Sequence, residues 1–194
     1  MNFLLAIVVS ILSYGAVPNE TTVNNAKAIN TAISDCADKG GGVVEVPKGT
    51  FTTGSVFLRS GVTLRLNEGA VLLGSSRLSD YSSLVTDLDL SRYESGQGTV
   101  NYNSATDSQW SKAMIFAVGG AGCIDGGDVR NPLGEEHMRG PHTLLLAGCR
   151  EMKMRDFKVK RSANYAFLAY RLDRSAFSNL TIEGGWDGIH IRGS

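Results

Sequence analysis

From Leu144 to Ile191 the chain reads LLLAGCREMKMRDFKVKRSANYAFLAYRLDRSAFSNLTIEGGWDGIHI, and this stretch repeats itself. Laying Leu144-Leu-Leu146 over Phe167-Leu-Ala169 takes a shift of 23 residues, and the same shift lays Phe157-Lys-Val159 over Leu180-Thr-Ile182. Met152 and Met154 then fall on Ser175 and Phe177. From Phe167-Leu-Ala169 to Ile189-His-Ile191 is a further 22. A short period built from brief alternating strands marks a solenoid. Leucine-rich repeats share the length, but their fixed Leu and Asn pattern is missing. A parallel β-helix is the better physical solution. Each period is one rung of three short strands, the inward residues of successive rungs stack, and the coil leaves two apolar ends. Leu145, Leu168 and Ile189 should therefore lie in neighbouring strands of one parallel sheet.

The N-terminal half fits the same architecture. Val44 and Val46, Val56 and Leu58, then Val62, Leu64 and Leu66, and Val71-Leu72-Leu73 are short apolar strands. Pro47-Lys48-Gly49, Arg59-Ser60-Gly61 and Asn67-Glu68-Gly69 separate them, in turn chemistry. One helix precedes them, predicted over about 22–38. Val23, Ala26, Ile29, Ala32, Ile33, Cys36 and Ala37 recur at helical spacing, Thr21 or Thr22 supplies the N-cap, and Gly40-Gly41-Gly42 ends it. Such a helix can cap the first end of the coil and shield its edge backbone. The polar segment of about 75–112, with Asn101-Tyr-Asn-Ser, lacks periodicity and reads as a long excursion from the coil. A second excursion is expected at about 125–141. Long loops of this kind often border binding grooves.

Composition narrows the function classes. Nineteen Lys plus Arg balance nineteen Asp plus Glu, which argues against a nucleic-acid binder relying on bulk positive charge. Lys153 to Arg161 looks basic, but its alternation with Met154, Phe157 and Val159 makes it the outward face of a strand. The chain carries 23 glycines in 194 residues, well above the typical ~7%, and only 4 prolines, as many tight turns between short strands require. The length allows one domain or part of a larger one. Cys36, Cys123 and Cys149 form no Cys-x-x-Cys pair and read as small buried apolar residues. The uncharged run Phe3 to Leu12 is too short to span a bilayer. It has two readings: a signal-peptide core within residues 1–16, with Gly15 and Ala16 near the cleavage point, or a first buried strand from Val8 to Tyr14. Glu135-Glu-His137 is not a His-Glu-x-x-His zinc motif. His137, His142 and His190 are not accompanied by a Gly-x-Ser-x-Gly elbow. Asn19-Glu-Thr and Asn179-Leu-Thr are glycosylation sequons.

Three segments together carry a family resemblance. Tyr14-Gly-Ala, the helix and Gly40-Gly-Gly-Val-Val-Glu-Val-Pro-Lys-Gly-Thr-Phe51 resemble the start of pectin-lyase-like β-helix proteins. Thr53 to Ser75, TGSVFLRSGVTLRLNEGAVLLGS, narrows this to something resembling glycoside hydrolase family 28, the polygalacturonase group. Ile124-Asp-Gly126 and Trp186-Asp-Gly-Ile-His190 sit where that family carries its Ile-Asp-Gly turn and its Asn-Thr-Asp-Gly-x-Asp motif. The resemblance implies an all-β fold: a right-handed parallel β-helix with an N-terminal capping α-helix, truncated on its C-terminal side, with residues 17–194 as the N-terminal part of one domain. It implies an inverting glycosidase acting on a pectin-type, galacturonate-containing polysaccharide. It also implies a secreted or extracytoplasmic protein, monomeric at full length, with no nucleic acid, membrane insertion, metal or cofactor involved.

Inverting hydrolysis needs one carboxylic acid on the leaving oxygen and a second carboxylate, ~6.5–9.5 Å away, to activate water. Asp187 matches the family's first catalytic Asp. The family's Asp-Asp pair would follow one rung later, around position 208 at this period, so the catalytic set within these residues is expected to be incomplete and the chain by itself inactive. Gly185-Trp186 replaces Asn-Thr, and His190 replaces the second Asp of the motif. Trp186 can stack on a sugar, or cover the coil end or core. His190 and Arg192 alternate onto one face as a cationic pair suited to a uronate, unless both are simply solvated. Two other classes stay open on this fold: a Ca²⁺-assisted polysaccharide lyase or epimerase, and a non-catalytic tailspike- or adhesin-like carbohydrate-binding module.

Overall fold

The computed structural model describes residues 7–86, 89, 111–116, 119–120, 123–127, 129–132 and 139–192, with the backbone alone at 116, 119–120 and 123–125. Residues 1–6 of the expected leader, most of the first excursion, His137 and the Cys123 side chain lie outside this description. The strands stack on three faces. One face holds β1 (Ile7–Ser10), β2 (Gly42–Val46), β5 (Val62–Leu66) and β8 (Gly119–Gly120). A second holds β3 (Gly49–Thr53), β6 (Ala70–Gly74), β9 (Cys123–Asp125), β11 (Lys153–Ser162) and β13 (Ala176–Gly185). The third holds β4 (Val56–Phe57), β7 (Ala113–Phe116), β10 (His142–Ala147), β12 (Phe167–Tyr170) and β14 (Ile189–Arg192). Every pairing among them is parallel, giving a β-helix of about five turns.

The register reproduces the sequence period. Leu144 pairs with Phe167 and Leu145 with Leu168, while Phe157 pairs with Leu180 and Val159 with Ile182. Phe167 then pairs with Ile189, the step of 22. One inward column runs Val56–Ile115–Leu144–Phe167–Ile189 through all five rungs of the third face. Its first four members are fully buried, each worth ~1.5–3 kcal/mol of apolar burial. Ile189 is half exposed, as is Ile191, because no described strand stacks above β14.

Among the described residues, seven other than glycine adopt positive φ, and most of them repeat at the same offset. Glu151 (φ 53) sits below Arg174 (φ 46), Asp156 (φ 63) below Asn179 (φ 51), and Arg161 (φ 46) below Gly184 (φ 66), each pair 23 apart. These are the corners of successive rungs. L-residues adopt this left-handed conformation at a cost. Exposed side-chain contacts join two of the stacked corner pairs: Arg174 holds Glu151 at 2.9 Å, and Asn179 donates to Asp156 at 2.9 Å.

The helix α1 (Ala26–Asp38) buries Ile29, Ala32, Ile33 and Cys36 against the first coil, so it caps that end. It starts later than the predicted 22, and neither Thr21 nor Thr22 caps it. Asn25 is held by Val17 and Thr52, whose backbone groups take its side chain at 2.7–3.2 Å, so residues 21–25 are a turn fastened to β3. The Asn24 side chain accepts from the Ala26 N–H instead, at 3.0 Å. The strand expected from Val8 to Tyr14 covers only Ile7–Ser10; Ile11–Tyr14 is a 3-10 turn closed by Gly15 at φ 88. No helix among the described residues is long and apolar enough to cross a membrane.

Candidate active site

The turn from β13 to β14 carries Trp186 and Asp187. Gly185 (φ +99) permits it, since a Cβ there would stand 2.8 Å from the Ser162 carbonyl on the rung below. The Asp187 carbonyl accepts from Ala166 N–H at 2.9 Å and the Gly188 carbonyl from Phe167 N–H at 3.0 Å. The backbone of the turn is thus fixed to the preceding rung while the Asp187 side chain is exposed.

Counting down the register from Asp187 gives a column. Phe167 opposite Ile189 places Tyr165 opposite Asp187, and Leu144 opposite Phe167 places His142 opposite Tyr165. His142 is fully buried and its ring stacks on Tyr165, with centroids 5.3 Å apart and planes at 17°. The His190 ring lies 4.7 Å from Tyr165 on the other side. Three rings therefore form a continuous wall beneath the exposed carboxylate. Burial, followed by the negative charge of Asp187, pushes the Tyr165 phenol up. That outer face also holds Leu145, Leu168 and Tyr170, with Leu84 from the start of the first excursion packed against it.

His190 and Arg192 both lie on the outer face of β14, as their alternation requires, but they are not two cations. Arg192 Nε donates to His190 Nε2 at 3.1 Å, so that nitrogen accepts and carries no proton. Burial first, then the positive charge of Arg192, hold the imidazole below its ordinary range, with Asp187 opposing. His190 is therefore neutral at neutral pH, and Arg192 alone carries the positive charge. Arg192 is buried, its guanidinium 5.7 Å from the centre of the Tyr170 ring. Trp186 is 54% exposed, so it does not fill the core, and the Arg139 guanidinium lies over its ring.

The fold brings all four residues singled out from sequence, Trp186, Asp187, His190 and Arg192, onto one turn and one strand. Tyr165 and His142 were legible by subtracting the period from Asp187, once and then again. Arg139 had no sequence signal, because it belongs to an excursion outside the repeat.

No family model matches the chain. Over 122 residues it is 35% identical to an exo-poly-alpha-D-galacturonosidase of Dickeya chrysanthemi, a match covering 61% of this chain and 19% of that protein. Its fold matches a family 28 exopolygalacturonase of Yersinia enterocolitica with TM-score 0.71 and 20% identity, over 96% of this chain and 41% of that one. It also matches a hyperthermoactive exopolygalacturonase of Thermotoga maritima with TM-score 0.67 and 17% identity, over 94% of this chain and 48% of that one. The chain thus spans 19% of the curated relative's length and under half of these two solved ones. These matches bear out the resemblance to the polygalacturonase group that the sequence motifs carry.

Proposed function

We propose that this chain supplies the N-terminal coils of an inverting glycoside hydrolase that cleaves galacturonate-containing polysaccharide, with Asp187 as one of the two reacting carboxylates. The observation that carries this reading is the exposed Asp187 on backbone hydrogen-bonded into the rung below, at the turn that leads into the strand of His190 and buried Arg192. Rungs stack ~4.8 Å apart and residues along a strand ~3.3 Å, so a carboxylate on the following rung, displaced by about two residues, would stand ~8 Å from Asp187, within the ~6.5–9.5 Å that a glycosidic bond and one water need. Arg192 gives the groove a positive charge that favours a uronate ring over a neutral one. With its Nε2 accepting from Arg192, His190 carries its proton on Nδ1 and donates from there. The tyrosine and histidine rings below fix the imidazole plane and exclude water from one side of it. A polysaccharide substrate of this size is met outside the cytoplasm, so we place the protein in the secreted or cell-surface space, as a monomer at full length.

The test is release of reducing ends from polygalacturonate by the full-length protein and its Asp187→Asn variant. Loss of a reacting carboxylate lowers kcat by at least ~10²-fold, within the range general acid–base groups contribute. A variant that cleaves as fast as the parent removes Asp187 from the mechanism.

A further inference from the structure

The second excursion returns to the coil at Arg139-Gly140-Pro141, immediately before β10. This short segment is held tightly. Asn131 N–H donates to the Arg139 carbonyl at 2.5 Å, and the buried Asn164 side chain donates to the Gly140 carbonyl at 3.3 Å. A Cβ on Gly140 would meet the Val129 carbonyl at 2.1 Å and the Ala163 Cβ at 2.7 Å, so only glycine lets the segment lie this close to the rung above. From that fixed backbone the Arg139 side chain rises to the β13–β14 turn, two rungs up, where its guanidinium covers Trp186. Two rungs is about 10 Å at the usual strand spacing, so the side chain must extend to get there.

The stacking decides what each partner can do. A guanidinium over a ring face uses its own face, while its N–H donors lie in its plane and are aimed sideways by the stack. The ring face that Arg139 covers is closed to a sugar. Trp186 is followed directly by Asp187, so the guanidinium is held at the same turn that carries the exposed carboxylate.

We propose that Arg139 is a specificity-determining residue that binds the carboxylate of a uronate unit adjacent to Asp187, and that Trp186 is the positioning residue that holds its guanidinium in place. This deepens the glycosidase reading above and rests on it. It assigns Trp186 a different task from stacking on the sugar itself, and the two tasks respond differently to the charge of the ligand.

The experiment measures binding calorimetrically, with full-length protein and two probes, an oligogalacturonate and its methyl ester. Arg139→Ala and Trp186→Ala should each weaken the acid about tenfold or more, the factor carried by one hydrogen bond to a charged group, and leave the ester unchanged. Arg139→Lys and Trp186→Phe, which keep the cation and a ring, should fall between these variants and the parent. Unchanged thermal midpoints confirm that the loss is one of recognition. Equal weakening of acid and ester by Trp186→Ala would mean that the indole stacks on the sugar and would overturn the proposal. So would unaltered binding of both probes by Arg139→Ala. Parent protein that binds the ester but discriminates against the acid overturns the uronate reading as well, whereas cleavage of polygalacturonate with no Arg139 effect overturns this pair alone.

Discussion

Phe167→Ala removes the ring at the centre of the stacked column. Phe167 is fully buried between Leu144 below and Ile189 above, edge-on to Phe177 at 5.9 Å and tilted against Phe157 at 6.4 Å. Truncating a core Phe costs ~3–5 kcal/mol, part transfer and part residual cavity. For a domain of this size each kcal/mol moves Tm by ~2–4 °C, so the midpoint should fall by roughly 6–20 °C. Phe177 is the same residue type in the same aromatic pair, but it is partly exposed on the last described rung. Phe177→Ala should therefore cost only ~1–2 kcal/mol, the smaller value of partial burial. The double variant should show a coupling of ~0.5–1.5 kcal/mol from the edge-to-face contact. Urea unfolding of the 194-residue chain, followed by far-UV circular dichroism, gives all three numbers. If Phe177→Ala cost as much as Phe167→Ala, or more, the stacking order deduced here would be refuted.

The capping helix should be equally exacting: Ile29→Asp places an uncompensated charge in a fully buried position, and ~3 kcal/mol or more of stability should be lost. An unchanged melting temperature would show that α1 does not seal the coil. Gly126→Ala should destabilise by ~1–3 kcal/mol, because its Cβ would meet the Arg161 carbonyl at 2.8 Å and the Ser162 Cα at 3.0 Å. Gly184→Ala, with φ +66 but nothing within 4 Å, should cost only about 1 kcal/mol of backbone strain; reversal of that order in thermal unfolding would contradict the turn geometry. His190 is held below its ordinary pKa of ~6.5, so between the two pKa values the unfolded chain binds more protons. Its contribution to stability is therefore complete above about pH 6.5 and is lost as pH falls through the folded pKa. Arg192→Leu should raise the imidazole pKa, read from its NMR shifts against pH; a native His190 already titrating above ~6.5 would refute the neutral assignment.

The repeat was plain in the sequence only where rungs follow one another without interruption. Steps of 23 and 22 link Leu144, Phe167 and Ile189, but the same column needs 59 residues from Val56 to Ile115 and 29 from Ile115 to Leu144. The two excursions stretch those steps and hide the period, although Val56 packs as the later residues do. Corners were invisible for a different reason. Glu151 below Arg174 and Arg161 below Gly184 share a conformation but not a residue type, so only the backbone shows that they repeat. In the site, alternation correctly put His190 and Arg192 on one face. It could not give their protonation, which depends on an Nε–Nε2 contact and on burial by neighbouring rungs. Arg139 reaches Trp186 from an excursion, and nothing in a pattern of spacings encodes that approach.

The stereochemistry of the first product formed tests the account most directly. Full-length protein would be mixed with polygalacturonate and the anomeric proton of the newly released sugar followed by NMR before mutarotation. Direct displacement by water between two carboxylates on separate rungs predicts that the α-linkage yields the β-anomer first, and that Asp187→Asn abolishes the signal. Initial appearance of the α-anomer would contradict the inverting geometry, and an unsaturated product would show that the groove eliminates rather than hydrolyses.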